Sequence, residues 1–258
     1  MKKVVYITFF VLFLAIIGGI FYREKIIENK KTIIVQETPQ NDNSETQKNL
    51  QEAVKENTKK ESEKIEEKNI PIPDTATLEV PFLSQAPFAK WDALHEDACE
   101  EASLIMAKYF LDGEKTISKE QGEKEIQDMV KFENRNKYGL SVTLDELNEI
   151  ARKYYDLERG RVEKNITIEN IKKELASGKP VIVGAAGKVL PNPNFKNGGP
   201  NYHMLVIIGY DGKGFITNDP GTRLGKNFRY TFEDLLKSIH DWNPKNILNG
   251  EKNYLVFD

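Results

Sequence analysis

The 258-residue sequence contains one cysteine and three histidines. A single cysteine excludes an intramolecular disulfide and a cysteine-rich zinc site. The charges nearly balance, with 37 Lys and Arg against 40 Asp and Glu, so the net charge is only −3. Nucleic-acid-binding proteins need a basic surface that releases counterions. We therefore expect no nucleic-acid partner, and we expect no metal and no cofactor.

Aromatic residues are absent between residues 23 and 77, a segment rich in Lys, Glu, Asn and Gln. Such a segment cannot bury enough apolar area to offset the entropy lost on ordering. We predict a disordered charged linker over 23–77 and one folded domain over 78–258. Pro71 and Pro73 lie near the end of the linker.

An uncharged apolar run occupies residues 4–22. As a helix with a rise of about 1.5 Å per residue, it nearly spans a hydrocarbon core of about 30 Å. Bulky residues stand where signal-peptide cleavage needs small ones, so we predict that 1–22 is an uncleaved membrane anchor. Lysine and arginine lie on both sides of the run and do not settle its orientation. The signal-like layout favours a single-pass protein with an extracytoplasmic C-terminal domain.

The pattern of residues 78–258 predicts helices first and strands later, which indicates an α+β fold with a mostly antiparallel sheet. A first strand is predicted at 78–82, and an amphipathic helix at 99–111. Capping boxes at Ser118 and Thr143 open two further helices, and Thr167 and Thr231 begin two more. Strands are predicted at 180–185 and 254–257, with a hairpin of 203–209 and 214–218.

Cys99 begins the predicted helix 99–111, where unpaired amides and the helix dipole favour a thiolate. Carboxylates surround it, with Asp97 before it and Glu100 and Glu101 after it. They oppose a thiolate, so a nearby imidazolium would be needed. The alternative is an inert buried cysteine.

His203 begins an apolar strand and is the candidate base. A hairpin centred on Asp211 pairs His203 directly with Asp219, at a distance that lets a carboxylate orient an imidazole. A different turn would change this register and would move the orienting role to Asn218 or elsewhere. Asp219 could alternatively be only a turn residue before Pro220.

A cysteine nucleophile also needs a donor for the oxyanion. Gln85, between the first strand and the helix, could supply one beside the backbone N–H of Cys99. A metal site formed by His95, Glu96 and Asp97 is disfavoured because adjacent residues converge poorly on one ion. We expect His240 to help cap the carbonyls at the end of a helix.

The order Gln85, Cys99, His203 and Asp219 resembles the papain-like cysteine peptidases of family C-39 and their C-39-like relatives. The similar strings are VPFLSQAPF, ACEEASLIMA, YHMLVIIGYD and FITNDPGT, from about residue 78 onward. The resemblance implies a papain-like fold with Cys99 as nucleophile, His203 as base, Asp219 as orienter and Gln85 as oxyanion donor. Glu100 and Glu101 depart from the Cys-Gly-Pro or Cys-Gly of the best-studied members. Those members are fused to transporter domains and cut leader peptides, whereas here a membrane anchor is expected in place of a transporter, so leader-peptide cleavage is not implied.

The sequence thus predicts a membrane-anchored monomeric thiol hydrolase that cleaves a peptide or amide bond. Two alternatives remain open: a papain-like domain that binds peptides without cleaving them, and a cell-wall peptide hydrolase of the NlpC type. The Asp-Cys-Ser-Gly signature of the NlpC type is absent.

Overall fold

The structure is a computed structural model that describes residues 72–164 and 166–258. These residues belong to a single unit, Ile70–Asp258. The anchor expected at 1–22 and most of the linker expected at 23–77 lie outside the described residues. Within the described part, no helix has the length and apolar character needed to cross a bilayer.

The described chain contains five α-helices, seven strands and two short 3-10 helices, Lys196–Gly198 and Ile247–Asn249. The helices are α1 (Cys99–Leu111), α2 (Lys119–Asn136), α3 (Leu144–Tyr155), α4 (Ile168–Ala176) and α5 (Phe232–Ser238). The strands are β1 (Ala76–Thr77), β2 (Gly160–Lys164), β3 (Val181–Ala186), β4 (Tyr202–Asp211), β5 (Gly214–Asn218), β6 (Phe228–Tyr230) and β7 (Asn253–Phe257).

All strand pairs are antiparallel, in the order β2-β7-β3-β4-β5-β6, and β1 pairs with β4. Strand β4 is apolar on both faces because both faces are covered. Met204, Val206 and Ile208 pack with α1, α2 and α3. Leu205 and Ile207 pack with α4 and α5 on the other side. The fold is α+β, as predicted.

Helix starts agree with the local sequence signals. Helix α1 has the predicted bounds, and the side chains of Ser118 and Thr143 form complete capping boxes. Thr167 and Thr231 accept from the third backbone N–H of their helices, also as predicted.

Several strands differ from expectation. The first strand is Ala76–Thr77 rather than 78–82, and the pattern did not indicate β2 or β6. Strand β2 is short, only partly buried, and carries charged residues at its second, fourth and fifth positions. It therefore lacks the apolar alternation from which a strand is predicted.

Candidate active site

His203 and Asp219 form the best-defined polar contact of the candidate site. His203 Nε2 donates to Asp219 Oδ1 over 2.7 Å, and both side chains are buried. The predicted contact is present, but the predicted register is wrong. The turn is Gly212–Lys213, since Asp211 pairs with Gly214.

A register shift between Ile207 and Gly209 then pairs Val206 with Asn218. Extending that pairing sets Asp219 opposite Leu205, so His203 and Asp219 are diagonal neighbours on one face. Diagonal neighbours remain within reach of long side chains. The extra residue in β4 is a β-bulge, which sequence periodicity alone does not reveal.

Every oxygen of the Asp219 carboxylate has partners. Besides His203, Oδ1 accepts from the Gly221 backbone N–H over 3.0 Å. Oδ2 accepts from the Tyr230 hydroxyl over 2.6 Å and from Asn192 Nδ2 over 3.0 Å. Burial acts to raise the pKa of Asp219, but the His203 charge and these hydrogen bonds outweigh it, and the pKa is lowered. The sequence reasoning missed Asn192 and Tyr230, which meet Asp219 only through the tertiary fold.

Packing fixes the imidazole ring from a second direction. The ring of Phe195 meets that of His203 edge to face, with centroids 5.2 Å apart. A Cβ at Gly221 would lie only 2.8 Å from His203 Cε1, so this position requires glycine. The His203 ring is therefore held by a carboxylate and by close packing.

Cys99 begins α1, which packs on β4. Its side chain is 4% exposed, and Sγ lies 2.9 Å from Glu100 Oε2. The backbone N–H of Met204, next to His203, also acts on the sulfur and favours the thiolate. Within the described chain no hydrogen bond joins Cys99 to His203; the thiol donates to Glu100.

The surroundings of Cys99 favour the neutral thiol. Burial, followed by the charge and hydrogen bond of Glu100, raises the pKa of Cys99 well above its ordinary value. Burial and then the neighbouring Glu101 raise the pKa of Glu100 to about 8. The acidic surroundings noted in the sequence therefore oppose the thiolate, as predicted.

Gln85 braces the loop that leads into α1. Its Nε2 donates to the backbone carbonyls of His95 over 2.8 Å and Glu96 over 3.1 Å. Its backbone N–H donates to the Pro220 carbonyl, which links this loop to the residue after Asp219. Both amide hydrogens of Gln85 are thus engaged.

His95 lies between two carboxylates and is buried. Its Nδ1 is 2.6 Å from Asp92 Oδ1, and its Nε2 is 3.0 Å from Glu123 Oε2. No group able to hold a metal occurs among the residues that the structure describes. The contacts of His95 therefore attach the loop to α2. His240 bonds the Gly250 carbonyl through Nδ1.

A cleft of about 620 Å³ opens beside His203 and Gln85. The loop before α1 contributes Trp91, Glu96 and Asp97 to it. Loops on the sheet side contribute the rest, including two apolar and two basic side chains: Phe195, Leu224, Lys196 and Arg223. In the described residues, none of the four charged side chains forms an ion pair. The acidic side chains of the cleft come from the loop before α1, and the basic ones come from the sheet side.

Comparison with known proteins identifies the family. No curated protein matches the sequence. Among solved structures, a candidate C39-like peptidase from Bacillus anthracis is 18% identical, with a TM-score of 0.48. That match covers 72% of this chain and 98% of the other.

A family model matches residues 77–246, a range that contains all four predicted site residues. The papain-like α+β fold class, with Cys99 on a helix before an antiparallel sheet, agrees with this match. The chain belongs to the Peptidase_C39-like family.

Proposed function

We propose that the protein is a thiol peptidase in which Cys99 is the nucleophile, His203 the base and Asp219 the group that orients the base. The observation that carries the proposal is the buried His203–Asp219 pair, whose carboxylate accepts four hydrogen bonds beside an open cleft. A carboxylate held in this way fixes the tautomer and the orientation of the imidazole. Family membership independently supports a peptide substrate.

The proposed reaction begins with transfer of the thiol proton to Nδ1 of His203, because Nε2 bonds Asp219. The thiolate then attacks the carbonyl carbon of the scissile bond, and the carbonyl oxygen becomes an oxyanion. When the oxyanion collapses, the C–N bond breaks and the imidazolium gives its proton to the departing amine. Water, deprotonated by His203, hydrolyses the thioester and restores the thiol.

Oxyanion stabilisation is proposed to come from the Cys99 backbone N–H and the Gln85 side chain. In the described chain the Cys99 N–H has no hydrogen-bond partner, as is usual in the first turn of a helix. Gln85 lines the cleft, but its two amide hydrogens bond backbone carbonyls. The proposed role requires one of these hydrogens to change partner when substrate binds.

The proposed substrate is an extended peptide of mixed charge. Glu96 and Asp97 suit a cationic substrate side chain, while Lys196 and Arg223 suit an anionic one. Burial, with the neighbouring Glu96, raises the pKa of Asp97. The exposed Trp91 and Leu224 offer apolar area to side chains between the charges.

A second candidate function is peptide binding without cleavage. The observation that favours it is the thiol of Cys99, which is buried and donates to Glu100 rather than to His203. Under this alternative the cleft holds the peptide, and Cys99 is only a core residue. This alternative predicts that the wild type forms no cleavage product and that Cys99→Ala binds peptide with the same affinity as the wild type.

We also propose that residues 4–22 anchor the protein in a membrane, with the family domain outside the cytoplasm and monomeric. The support is the uncharged apolar run and the following polar segment. N-terminal sequencing of membrane-extracted protein should begin before residue 4. A start beyond Tyr22 would instead indicate a cleaved signal.

The test of the proposed activity uses the full chain with mixed-charge peptide libraries and cell-wall peptides, read by mass spectrometry. We expect cleavage, and an acyl-enzyme adduct on Cys99 during turnover. Cys99→Ala should remove both products while leaving the circular dichroism spectrum unchanged. Cleavage that persists in Cys99→Ala would contradict the proposal, and binding without cleavage by the wild type would favour the second candidate.

A further inference from the structure

The hydrogen bond between Cys99 and Glu100 joins two buried groups. Sγ and Oε2 are 2.9 Å apart, and the two residues are 4% and 2% exposed. The other oxygen, Glu100 Oε1, is buried and has no hydrogen-bond partner within the described chain. An unpartnered buried oxygen costs free energy, so this carboxyl is not placed here for stability alone.

The groups around this carboxyl are mostly acidic. Glu101 follows it on α1, and Glu133 faces it from α2. Tyr202 of β4 lies close enough to be affected by its charge. The Tyr202 hydroxyl donates to the Val142 carbonyl and to an oxygen of Asp241.

The other groups near the Glu100 carboxyl and the Cys99 thiol are backbone groups and His203. The backbone N–H groups of Glu100 and Val142 favour the ionised carboxyl. His203 of β4 bonds Asp219 instead of this pair. No lysine or arginine is among the groups that most affect the pKa of Glu100 or of Cys99. An added negative charge is therefore costly at this place.

We propose that Glu100 is a positioning residue that holds the Cys99 thiol protonated and directed away from His203, so that the enzyme becomes active only when the thiol leaves this carboxyl. The inference rests on the proposed function, because it treats Cys99 as the nucleophile. On release, the S–H proton passes to Nδ1 of His203, which forms the thiolate–imidazolium pair. The protonation state of Glu100 does not change in this step, and its carboxyl loses only the hydrogen bond from the Cys99 thiol.

The test exploits the single cysteine. Iodoacetamide can alkylate only Cys99 among cysteines of the full chain, so the rate reports this thiol without any substrate. Rates are measured between pH 6 and pH 9.5 for the wild type, Glu100→Gln and Glu100→Ala. Gln keeps the volume and an acceptor oxygen but cannot ionise, whereas Ala removes the acceptor as well.

We expect Glu100→Gln to react about tenfold faster than the wild type at pH 9, where the carboxylate opposes the thiolate. At pH 6 the two should differ by less than about threefold, because the wild-type carboxyl is then neutral. Glu100→Ala should react faster at both pH values, since the thiol has lost its acceptor. The contrast between the variants separates the effect of charge from that of the hydrogen bond.

Glu101→Gln is the matched control, because Glu101 is equally buried on the same helical turn but does not bond the sulfur. It should change the alkylation rate less than Glu100→Gln at every pH. Coincident profiles for the wild type and both Glu100 variants would overturn the inference. An equal effect of Glu101→Gln would also overturn it, since the role would then belong to the general acidity of the region.

The peptidase assay distinguishes failure of this inference from failure of the proposed function. If Glu100 has no such role, Cys99→Ala still abolishes cleavage while the alkylation profiles coincide. If the proposed function is wrong, either the wild type does not cleave peptides or Cys99→Ala leaves cleavage unchanged, whatever Glu100 does to alkylation. If a Glu100→Gln variant does not fold, Glu100→Ala still tests whether Glu100 restrains the thiol: alkylation no faster than in the wild type at both pH 6 and pH 9 would overturn the inference.

Discussion

The two ends of the candidate site differ in how their buried polar groups are partnered. At Asp219, both carboxylate oxygens are fully hydrogen-bonded, and the pKa is lowered despite burial. Near Cys99, Glu100 and Glu101 each have a buried oxygen that lacks a hydrogen-bond partner among the described residues, and their pKa values are raised. In the proposed mechanism, His203 is thus already oriented as the base, while the Cys99 thiol must leave Glu100 before it can act as the nucleophile.

Of the changes considered, replacing Asp219 should have the largest effect on activity and stability. Asp219→Ala is expected to lower kcat by about 10³–10⁴-fold, because His203 loses its orienting partner. It also leaves the Tyr230 hydroxyl without its acceptor and removes one of the two acceptors of Asn192 Nδ2, which should destabilise the domain by about 2–3 kcal/mol. Peptide cleavage and urea unfolding measure the two effects. Asp219→Asn, which keeps one acceptor oxygen for His203, is the comparison variant and should lose less stability than Asp219→Ala.

Replacing Gln85 should slow acyl transfer by about 10²–10³-fold, the usual loss for one oxyanion donor. Alkylation of Cys99 should stay nearly unchanged, because the amide acts on the oxyanion and not on the thiol. Stopped-flow cleavage of a fluorogenic peptide and iodoacetamide kinetics compare the two steps in Gln85→Ala. Ser84→Ala is the control, since the Ser84 hydroxyl bonds backbone groups, donating to the Pro220 carbonyl and accepting from the Ala86 N–H. If both steps slow equally, Gln85 merely braces the loop at His95.

Raising the pH should reduce the stability of the folded protein through the buried carboxyls near Cys99. Burial raises the pKa values of Glu100, Glu101 and Glu133. In the folded state these groups retain protons that the unfolded chain releases above about pH 4.5. Their contribution is therefore fully present below that pH and is lost as pH rises toward the folded values, through about 8 for Glu100. Asp219, whose pKa is lowered, acts oppositely and loses its contribution only on acidification.

Glu133→Gln should therefore flatten the fall in unfolding free energy between pH 6 and pH 9, by about 1–2 kcal/mol at pH 9. Denaturant titrations at several pH values measure this. Glu149→Gln is the control, because Glu149 is exposed and pairs with Lys153. A Glu133→Gln curve parallel to that of the wild type would show that the buried carboxyls do not retain their protons.

The smallest expected effect concerns the cleft. Arg223→Glu should shift the preference between acidic and basic substrate peptides by about three- to tenfold, mainly through KM. Higher salt should reduce the shift, because exposed charges are screened. Lys245→Glu, an exposed change outside the cleft-lining set, should leave the preference unaltered. An equal shift in both variants would attribute the preference to net charge alone.

Local chemistry explains which parts of the fold could be predicted. The side chains of Ser118 and Thr143 bond amides three residues away, so helices α2 and α3 are specified by neighbours in the sequence. Strands β2 and β6 depend on distant partners and carry no such signal. The hairpin was predicted, but its β-bulge at Ile208 was not, because a bulge depends on packing rather than on turn residues.

The candidate site divides in the same way. The His203–Asp219 contact was predicted although its register was wrong, since a diagonal pair and a direct pair share one face. Asn192 and Phe195 lie on the connection between β3 and β4, and Tyr230 lies on β6, so they meet Asp219 or His203 only in the folded chain and no short motif indicates them. Glu100 was recognised as acidic, but its contact with the thiol required knowledge of its burial.

The turn at Gly212–Lys213 restricts how the length of this hairpin can vary among related chains. The number of residues between this turn and Asp219 decides which face of the sheet Asp219 occupies, because successive side chains of a strand point to opposite faces. Inserting one residue in β5 would turn Asp219 to the face covered by α1, whereas inserting two would restore the face but move the carboxylate along the strand. The 187–201 connection between β3 and β4 carries Asn192, which bonds Asp219, and Phe195, which packs on His203. Loop grafts intended to alter the substrate should accordingly keep these two residues in place and leave the hairpin at its present length.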